Sequence, residues 1–442
     1  MNVIKVYSNE TILCKTQKIE FIIPNDWNDY FKCIEFRPVM FQKLYKFNPN
    51  ISYFNKNASK SFDCLNWRYL DEKLSFFNYH DREIVKICRY GMIYPRAYPV
   101  SGKNLLNDGM TYSHCDKNIV KKYFDNRLSG PYDLDQIKQL CKSPIIVGKI
   151  LLIQKKDKSF RHVIDLRSHK IKFENYGNLP CKMRLPNLKQ VFTYVDIFNT
   201  KAGSIVDFQS FYRQLPINSY NFGTSVLFYD FDNSKSFYID NFAQMGHPWV
   251  AINAQRLTSS LNFIHNCLDS KNSCCLGYQD DTLIFHKNGN FNNSLNIFID
   301  ICENVGIKIK KSKLVVGQTI IKWLDINYNF QNQTLSPSTE RLESLFKIIE
   351  SFSLSKSCYL QEIQSFLGKI SSFMYMNNCK SLIFKLRQLD SSSFKGLIKF
   401  KPVHLLELKL LKIALKALVD GLISFHIVNF IIKFQSKKLL FL

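Results

Sequence analysis

The sequence predicts an α+β fold with two helices on one face of a small antiparallel sheet. Three observations lead there. Short apolar runs of strand length come first, followed by a long run of helical period, an acidic hairpin, a second helix and a further strand. From Ser338 onward the period turns helical. The 442 residues are 46% apolar and 22% charged, an ordinary globular composition for a chain long enough for two or three domains.

The formal charge of +24, with a pI near 9.4, calls for a polyanionic partner. Nucleic acid is the first candidate and an anionic membrane surface the second. The charge is spread along the chain, which favours a folded channel over a basic arm. Thirteen cysteines with no Cys-x-x-Cys pair fit neither a zinc knuckle nor a small disulfide scaffold. Reduced, mostly buried thiols are expected, in an intracellular protein of the cytoplasm or nucleus. The first residues, Met1 to Tyr7, lack a signal-peptide core, and the apolar stretch Gly421 to Phe434 is too short to span a bilayer.

Residues 1 to 125 carry no strong motif. The aromatics and asparagines between Phe47 and Phe62 suggest irregular structure, and Asp81 to Cys88 has a helical start. Ser129-Gly130-Pro131-Tyr132 reads as a turn leading into a short helix over Leu134 to Leu140. Ile145 to Ile153 and Phe160 to Leu166 read as the two arms of a β-hairpin with the polar tip Lys155-Lys156-Asp157-Lys158-Ser159. By itself a charged tip is most often solvated. Arg161 interrupts an apolar strand, and with Lys155 and Lys156 it could hold a triphosphate.

Ser204 to Phe208 is a strand with a carboxylate, Asp207, in an apolar run; a lone aspartate there is more often a cap than a ligand. Ser225 to Tyr229 and Phe237 to Phe242 read as strands. The loop Gln244-Met245-Gly246-His247-Pro248 precedes a long helix over Ala251 to Leu268, with Ile252, Leu257, Leu261, Ile264 and Leu268 inward. The run Leu276 to Phe285 is strand-like, yet holds Asp280 and Asp281 side by side. Two readings stay open: a turn, since Gly-Tyr-Gln-Asp-Asp has turn letters, or a cation site, since adjacent carboxylates beside apolar strand need neutralising. Phe291 to Val305 is a second helix, closed by Gly306. Two stripes, Leu342 to Ile349 and Leu360 to Phe373, form a small helical domain, and residues 401 to 442 are helical and apolar.

Asp207, Asp280 and Asp281 thus each sit in an apolar strand, with one long helix between the first and the pair. Three such carboxylates can converge on two divalent ions about 3.5–4 Å apart, the arrangement for in-line phosphoryl transfer. On a basic chain this predicts a nucleotidyl transferase.

At this point the sequence resembles the reverse transcriptases. Tyr278-Gln279-Asp280-Asp281 matches their Tyr-x-Asp-Asp box, and Val206 to Ile217 resembles the pattern around their first catalytic aspartate. Lys155-Lys156-Asp157 with Arg161 to Arg167 is similar to the fingers motif, Gly306 to Lys313 to the segment carrying a lysine near the leaving phosphate, and Leu360 to Lys369 to the start of the thumb. Ser129 to Tyr132 and Ser143-Pro144 look most like DIRS/Ngaro-type retrotransposons.

The resemblance covers roughly residues 125 to 390 and implies a right-hand polymerase with an antiparallel-sheet palm. Fingers and palm would occupy 126 to 335 and a helical thumb 336 to 395. Residues 1 to 125 would be an N-terminal region of unknown role, and 396 to 442 a helical remnant without RNase H carboxylates. The implied reaction is RNA-directed DNA synthesis on an RNA or DNA template with a primer and dNTPs, using two Mg2+ ions, or Mn2+ in their place. Asp207, Asp280 and Asp281, with the Phe208 carbonyl, would be the metal ligands. Lys155, Lys156 and Arg161 would bind the triphosphate, Gln244 and Gly246 would line the base pocket, and Lys313 would protonate pyrophosphate. Tyr212, five residues after Asp207, stands where the family places an aromatic gate against ribonucleotides, although an arbitrary tyrosine there would more often be core. Two departures matter. Gly246-His247-Pro248-Trp249-Val250-Ala251 replaces Gly-Leu-x-x-Ala-Pro, and Leu324-Asp325 replaces the primer-grip Leu-Gly. They sustain a rival reading, a retroelement-derived protein that binds nucleic acid without catalysis.

Overall fold

The computed structural model describes residues 11–13, 20–22, 65–92, 128–141, 145, 147–154, 160–165, 183, 185–186, 190–191, 194–195, 198–218, 222–223, 225–231, 234–245, 248–287, 289, 291–332, 334–376, 386, 388–389 and 397–419. The expectations placed on Phe47 to Phe62, on the hairpin tip 155 to 159, on Gly246 and on 420 to 442 lie outside them. Two short strands, β1 (Thr11–Leu13) and β2 (Glu20–Ile22), pair antiparallel.

Four antiparallel strands form the centre. They are β6 (Ala202–Asp207), β9 (Ser273–Tyr278), β10 (Asp281–His286) and β11 (Val315–Gln318), in the order β11-β6-β10-β9. Both faces of this sheet are covered, which is why its strands read as near-continuous apolar runs. Cys275, Ile284 and Val206 face helices α4 (Pro248–Leu268) and α5 (Phe291–Val305). Cys274, Leu276, Leu283 and Phe285 face the other way, onto Tyr194, Phe198 and the strands β12 (Ile320–Trp323) and β13 (Ile326–Asn329). The alternation follows from the two-residue period of a strand. Helix α4 starts at Pro248, ahead of the expected Ala251, because proline is pre-set for the first helical position. Helix α5 ends as expected at Gly306, whose φ of 86° a side chain would resist.

A five-stranded sheet adjoins the centre, in the order β3-β8-β7-β4-β5. Strands β4 (Val147–Gln154) and β5 (Phe160–Asp165) form the expected hairpin, in register from Lys149↔Asp165 to Gln154↔Phe160. Strands β7 (Val226–Phe231) and β8 (Ser234–Asp240) lie closer together in sequence than expected. Ladder pairing extends to Phe231↔Ser234, so the polar Ser234, Lys235 and Ser236 join the strand. The expected turn at Ser129 to Tyr132 is instead strand β3 (Leu128–Tyr132), paired with β8. It lies at the sheet edge, and its register breaks between Ser129 and Tyr132, which accommodates Gly130 and Pro131. Helix α3 (Leu134–Leu140) then begins at a capping box: Asp133 accepts from the Gln136 N–H, and the Gln136 side chain accepts from the Asp133 N–H.

Within the segment that offered no chemistry in the sequence, residues 65–92 prove to belong to the core. Helices α1 (Trp67–Phe76) and α2 (Glu83–Tyr90) bury Leu70, Leu74, Ile84 and Ile87 in one cluster with Leu257, Leu261 and Ile264 of α4. Asp81 and Arg256, both fully buried, lock them together. Arg256 donates from Nε and Nη2 to the two carboxylate oxygens of Asp81, at 2.8 and 2.7 Å, and from Nη1 to Asn253 Oδ1 at 2.8 Å.

Beyond β14 (Thr334–Pro337), helices α6 (Thr339–Ser355), α7 (Leu360–Met376) and α8 (Pro402–Val419) share one core, with Leu345, Phe366, Ile370 and Leu411 fully buried. A ribbon of β15 (Ser357–Tyr359) and β16 (Leu397–Lys399) completes this unit, which the helical period alone did not announce. The seven described cysteines are free, and Cys88, Cys274, Cys275, Cys302 and Cys358 are buried. Among the described residues, no helix is long and apolar enough to cross a membrane.

The buried pair gives the first prediction. Asp81→Asn leaves a guanidinium in the core without its counter-charge, so thermal unfolding should report a loss of roughly 3–5 kcal/mol. The Asp81→Leu/Arg256→Met double variant removes both charges and should recover much of that loss.

Candidate active site

Strand pairing brings the aspartates together. Asp207 ends β6 and Asp281 opens β10, and the two are direct partners in the antiparallel ladder. The Phe208 N–H donates to the Asp280 carbonyl at 2.9 Å, just outside that pair. This makes Asp207 and Asp281 a non-hydrogen-bonded pair, the kind whose Cα atoms approach to about 4.5 Å and whose side chains share a face. Asp280 lies with Gln279 in the turn between β9 and β10. The two readings of Gly-Tyr-Gln-Asp-Asp are therefore compatible, because the run is a turn and it also gathers carboxylates. It is not one continuous strand, since Gln279 takes a φ of 53° that lets the chain reverse.

Like charges opposed across a ladder repel, and the structure shows one response. Lys313, on the 3₁₀ turn Lys311–Lys313, donates from Nζ to Asp207 Oδ2 at 2.5 Å. That turn is anchored beside the aspartate, because the Lys310 N–H donates to the Asp207 carbonyl at 2.8 Å. Burial, then Asp280 and Asp207, push the Asp281 carboxyl up to about 6, with Lys313 opposing. The hydrogen bond to Asp207 holds Lys313 above its ordinary value.

The donor chemistry fits a divalent cation. Carboxylate oxygens are the hard ligands Mg2+ and Mn2+ take. Among the described residues, however, no three His, Cys, Asp or Glu side chains are drawn together as a finished metal site. The ammonium of Lys313 meets the Asp207 oxygen instead.

Phe208 is buried and packs against Phe211 and Phe298, with ring centroids at 4.8 and 6.2 Å. Tyr212 stands on the 3₁₀ turn Phe211–Gln214, half-buried, and its hydroxyl donates to Gln279 Oε1. Burial, then Asp280, Tyr278 and Asp281, raise its pKa. Gln244 is buried, and its side-chain amide donates to Asp240 Oδ2 at 3.4 Å, in a group where Asp240 also accepts from Arg213. The next residue, Met245, is 43% exposed. Arg161 lies on β5 opposite Ile153. Lys155, Lys156 and Gly246 fall outside the described residues.

The sequence reading missed how α4 grips the acidic hairpin. Strand β9 is a sheet edge, and its outward polar groups are met by side chains of α4. Asn266 accepts from the Cys275 N–H at 2.5 Å and donates to the Cys275 carbonyl at 3.2 Å. Gln255 donates to the Gly277 carbonyl at 2.9 Å and accepts from the Gln279 N–H at 2.8 Å. Thr258 donates to the Gln279 carbonyl. Edge groups buried without such partners would be costly. The available signal was a polar stripe, Gln255, Thr258, Asn262 and Asn266, set at helical spacing along the helix.

The grip requires Gly277. A Cβ there would stand 2.3 Å from Thr258 Cγ2 and 2.4 Å from Asn262 Nδ2. Gly277→Ala should therefore destabilise the protein by roughly 1–3 kcal/mol in thermal unfolding. Adding Thr258→Ser, which removes the nearer methyl and keeps the hydroxyl, should restore part of that loss.

Comparison with solved structures identifies the fold. The chain is similar to the foamy viral protease-reverse transcriptase dRH in complex with ds DNA, at 15% identity and a TM-score of 0.50, covering 80% of this chain and 61% of that one. Structures of the foamy viral protease-reverse transcriptase with dsDNA and with RNA/DNA hybrid give 14% identity each and TM-scores of 0.47 and 0.45. They cover 79% and 80% of this chain, and 71% and 46% of theirs. This chain thus spans less than two thirds of the first neighbour's length. No protein-family model matches the chain, and no curated protein matches it in sequence. The mixed helical and antiparallel architecture is that of a retroviral reverse transcriptase polymerase domain.

Proposed function

We propose that this chain is a template-directed DNA polymerase that uses RNA or DNA templates, derived from a retroelement. The observation that carries the reading is the register pair Asp207↔Asp281 with Asp280 in the adjoining turn, at the end of a sheet covered on both faces. The neighbour's fold and its bound ds DNA support a nucleic-acid substrate here, as does the charge of +24. The DIRS/Ngaro affinity rests on the motifs at 129 to 132 and 143 to 144, and the viral neighbours add nothing to it.

In this reading the primer 3′-oxygen attacks the α-phosphorus of a dNTP, the bond to the β-phosphate oxygen breaks, and pyrophosphate leaves. Asp207, Asp280 and Asp281 would hold two Mg2+ ions, or Mn2+, with the Phe208 carbonyl assisting; the ions would supply activation of the hydroxyl and stabilisation of the leaving charge. Lys313, already at Asp207, would give its proton to the departing pyrophosphate. Lys155, Lys156 and Arg161 would clamp the triphosphate, Gln244 and Gly246 would border the base, and the half-buried Tyr212 ring would stand against the sugar. The exposed Met245 joins them as a candidate contact.

One observation favours the second reading, binding without turnover: Lys313 engages Asp207, and the carboxylates do not form a finished site. Primer extension separates the two. The unmodified protein should extend a primer in Mg2+, and Asp280→Asn should abolish most of that extension while leaving primer-template affinity nearly intact. Affinity comes mainly from Lys and Arg on phosphates, not from the carboxylates. Equal extension by the Asp280→Asn protein contradicts the assignment.

Binding also has a salt signature. Affinity for a primer-template duplex should fall steeply, with log affinity linear in log salt, as released counterions require. Affinity unchanged between low and moderate salt would show that the positive charge does not face nucleic acid.

A further inference from the structure

Gln279 is the variable residue of the Tyr-x-Asp-Asp box, and its polar groups are tied in three directions. Its N–H donates to Gln255 Oε1 at 2.8 Å, and its carbonyl accepts from the Thr258 hydroxyl. Both anchors stand on α4, so the backbone of the turn is fixed from the helix side. Its φ of 53° keeps this residue in the left-handed region at the apex. With the backbone held, the side chain is free to meet the Phe211–Gln214 turn, and Oε1 accepts the hydroxyl of Tyr212.

Apart from that hydrogen bond, Tyr212 is held by packing against the main core. It stands on a short 3₁₀ turn whose preceding residue, Ser210, also takes a positive φ of 49°. Its ring meets Phe211 in a tilted contact at 6.3 Å and packs at the margin of the main core. A ring on such a turn can rotate about two side-chain torsions unless its far end is fastened. The hydrogen bond to Gln279 is that fastening.

We propose that Gln279 is a positioning residue for sugar selection: it holds the Tyr212 ring in the place where a 2′-hydroxyl would collide. The proposal rests on the polymerase reading above and extends it to the residue that stands between the tyrosine and the aspartates of the Tyr-x-Asp-Asp box. A wall excludes a hydroxyl only if it cannot yield, because tightly packed atoms make overlap costly while a mobile ring moves aside. The two ends of the contact are 67 positions apart, one beside each catalytic carboxylate segment. A single hydrogen bond therefore couples the sugar wall to the turn that carries Asp280.

The test is competitive single-nucleotide insertion at matched dNTP and rNTP concentrations. Gln279→Leu removes the acceptor at similar volume, and Tyr212→Phe removes the donor while keeping the ring. Each should raise ribonucleotide insertion relative to deoxynucleotide several-fold, and the double variant should go no further than the larger single effect, since both remove one bond. An unchanged ratio in active, folded Gln279→Leu overturns the proposal. Additive ratios overturn it too, since Gln279 would then act on the sugar without Tyr212. If Gln279→Leu does not fold, Tyr212→Phe decides alone: an unmoved ratio removes the hydrogen bond from sugar selection. No extension by the unmodified protein overturns the polymerase reading itself, and this proposal falls with it.

Discussion

Two carboxylates face each other across an antiparallel ladder, and much of the chain is arranged around that pair. Asp207 and Asp281 are forced together by the register of β6 and β10, which the apolar side chains on both faces fix. A slip of one residue would turn every one of those side chains to the wrong face, so the register is strongly specified. The repulsion is thus built in by packing, and Lys313 supplies a fixed counter-charge at Asp207. Apolar burial supplies the stability that keeps such a strained electrostatic arrangement in place.

Holding the arrangement steady falls to α4. Its apolar side fills the main core, and its polar stripe hydrogen-bonds the exposed edge of β9 and the turn at Gln279. The helix is itself fixed from behind by the buried Asp81–Arg256 pair, which ties it to α1 and α2. A chain of contacts therefore runs from the N-terminal helices through α4 to the acidic turn. Rigid helical support suits a site whose groups must hold fixed positions while charge is neutralised.

The sequence made the periodic parts legible. Helices α4 and α5, the β4–β5 hairpin and the strand of Asp207 all show in local spacing, because burial of one face imposes a period. The acidic turn was also visible, since charges in an apolar run are conspicuous. What stayed hidden has no local pattern. Asp81 finds Arg256 across 175 positions, and Tyr212 finds Gln279 across 67. The β15–β16 ribbon is too short to show a period, and Gly-Pro in β3 mimics a turn because a bulged edge strand tolerates the same residues. Of the candidate site, Asp207, Asp280, Asp281, Lys313 and Tyr212 come together in space. Gln244 turns inward to Asp240, whose carboxylate also accepts from the Phe242 N–H at 3.2 Å.

The central claim is that the opposed carboxylates exist to hold divalent cations. Electron paramagnetic resonance of Mn2+ titrated into the protein, with a primer-template and a non-hydrolysable dNTP analogue present, measures this without any turnover. The account predicts two bound ions per chain in the unmodified protein, and weaker or partial occupancy when Asp207 is replaced by Asn. Mn2+ that remains free in solution at every protein concentration would contradict it, and would leave Lys313 as the lasting partner of Asp207.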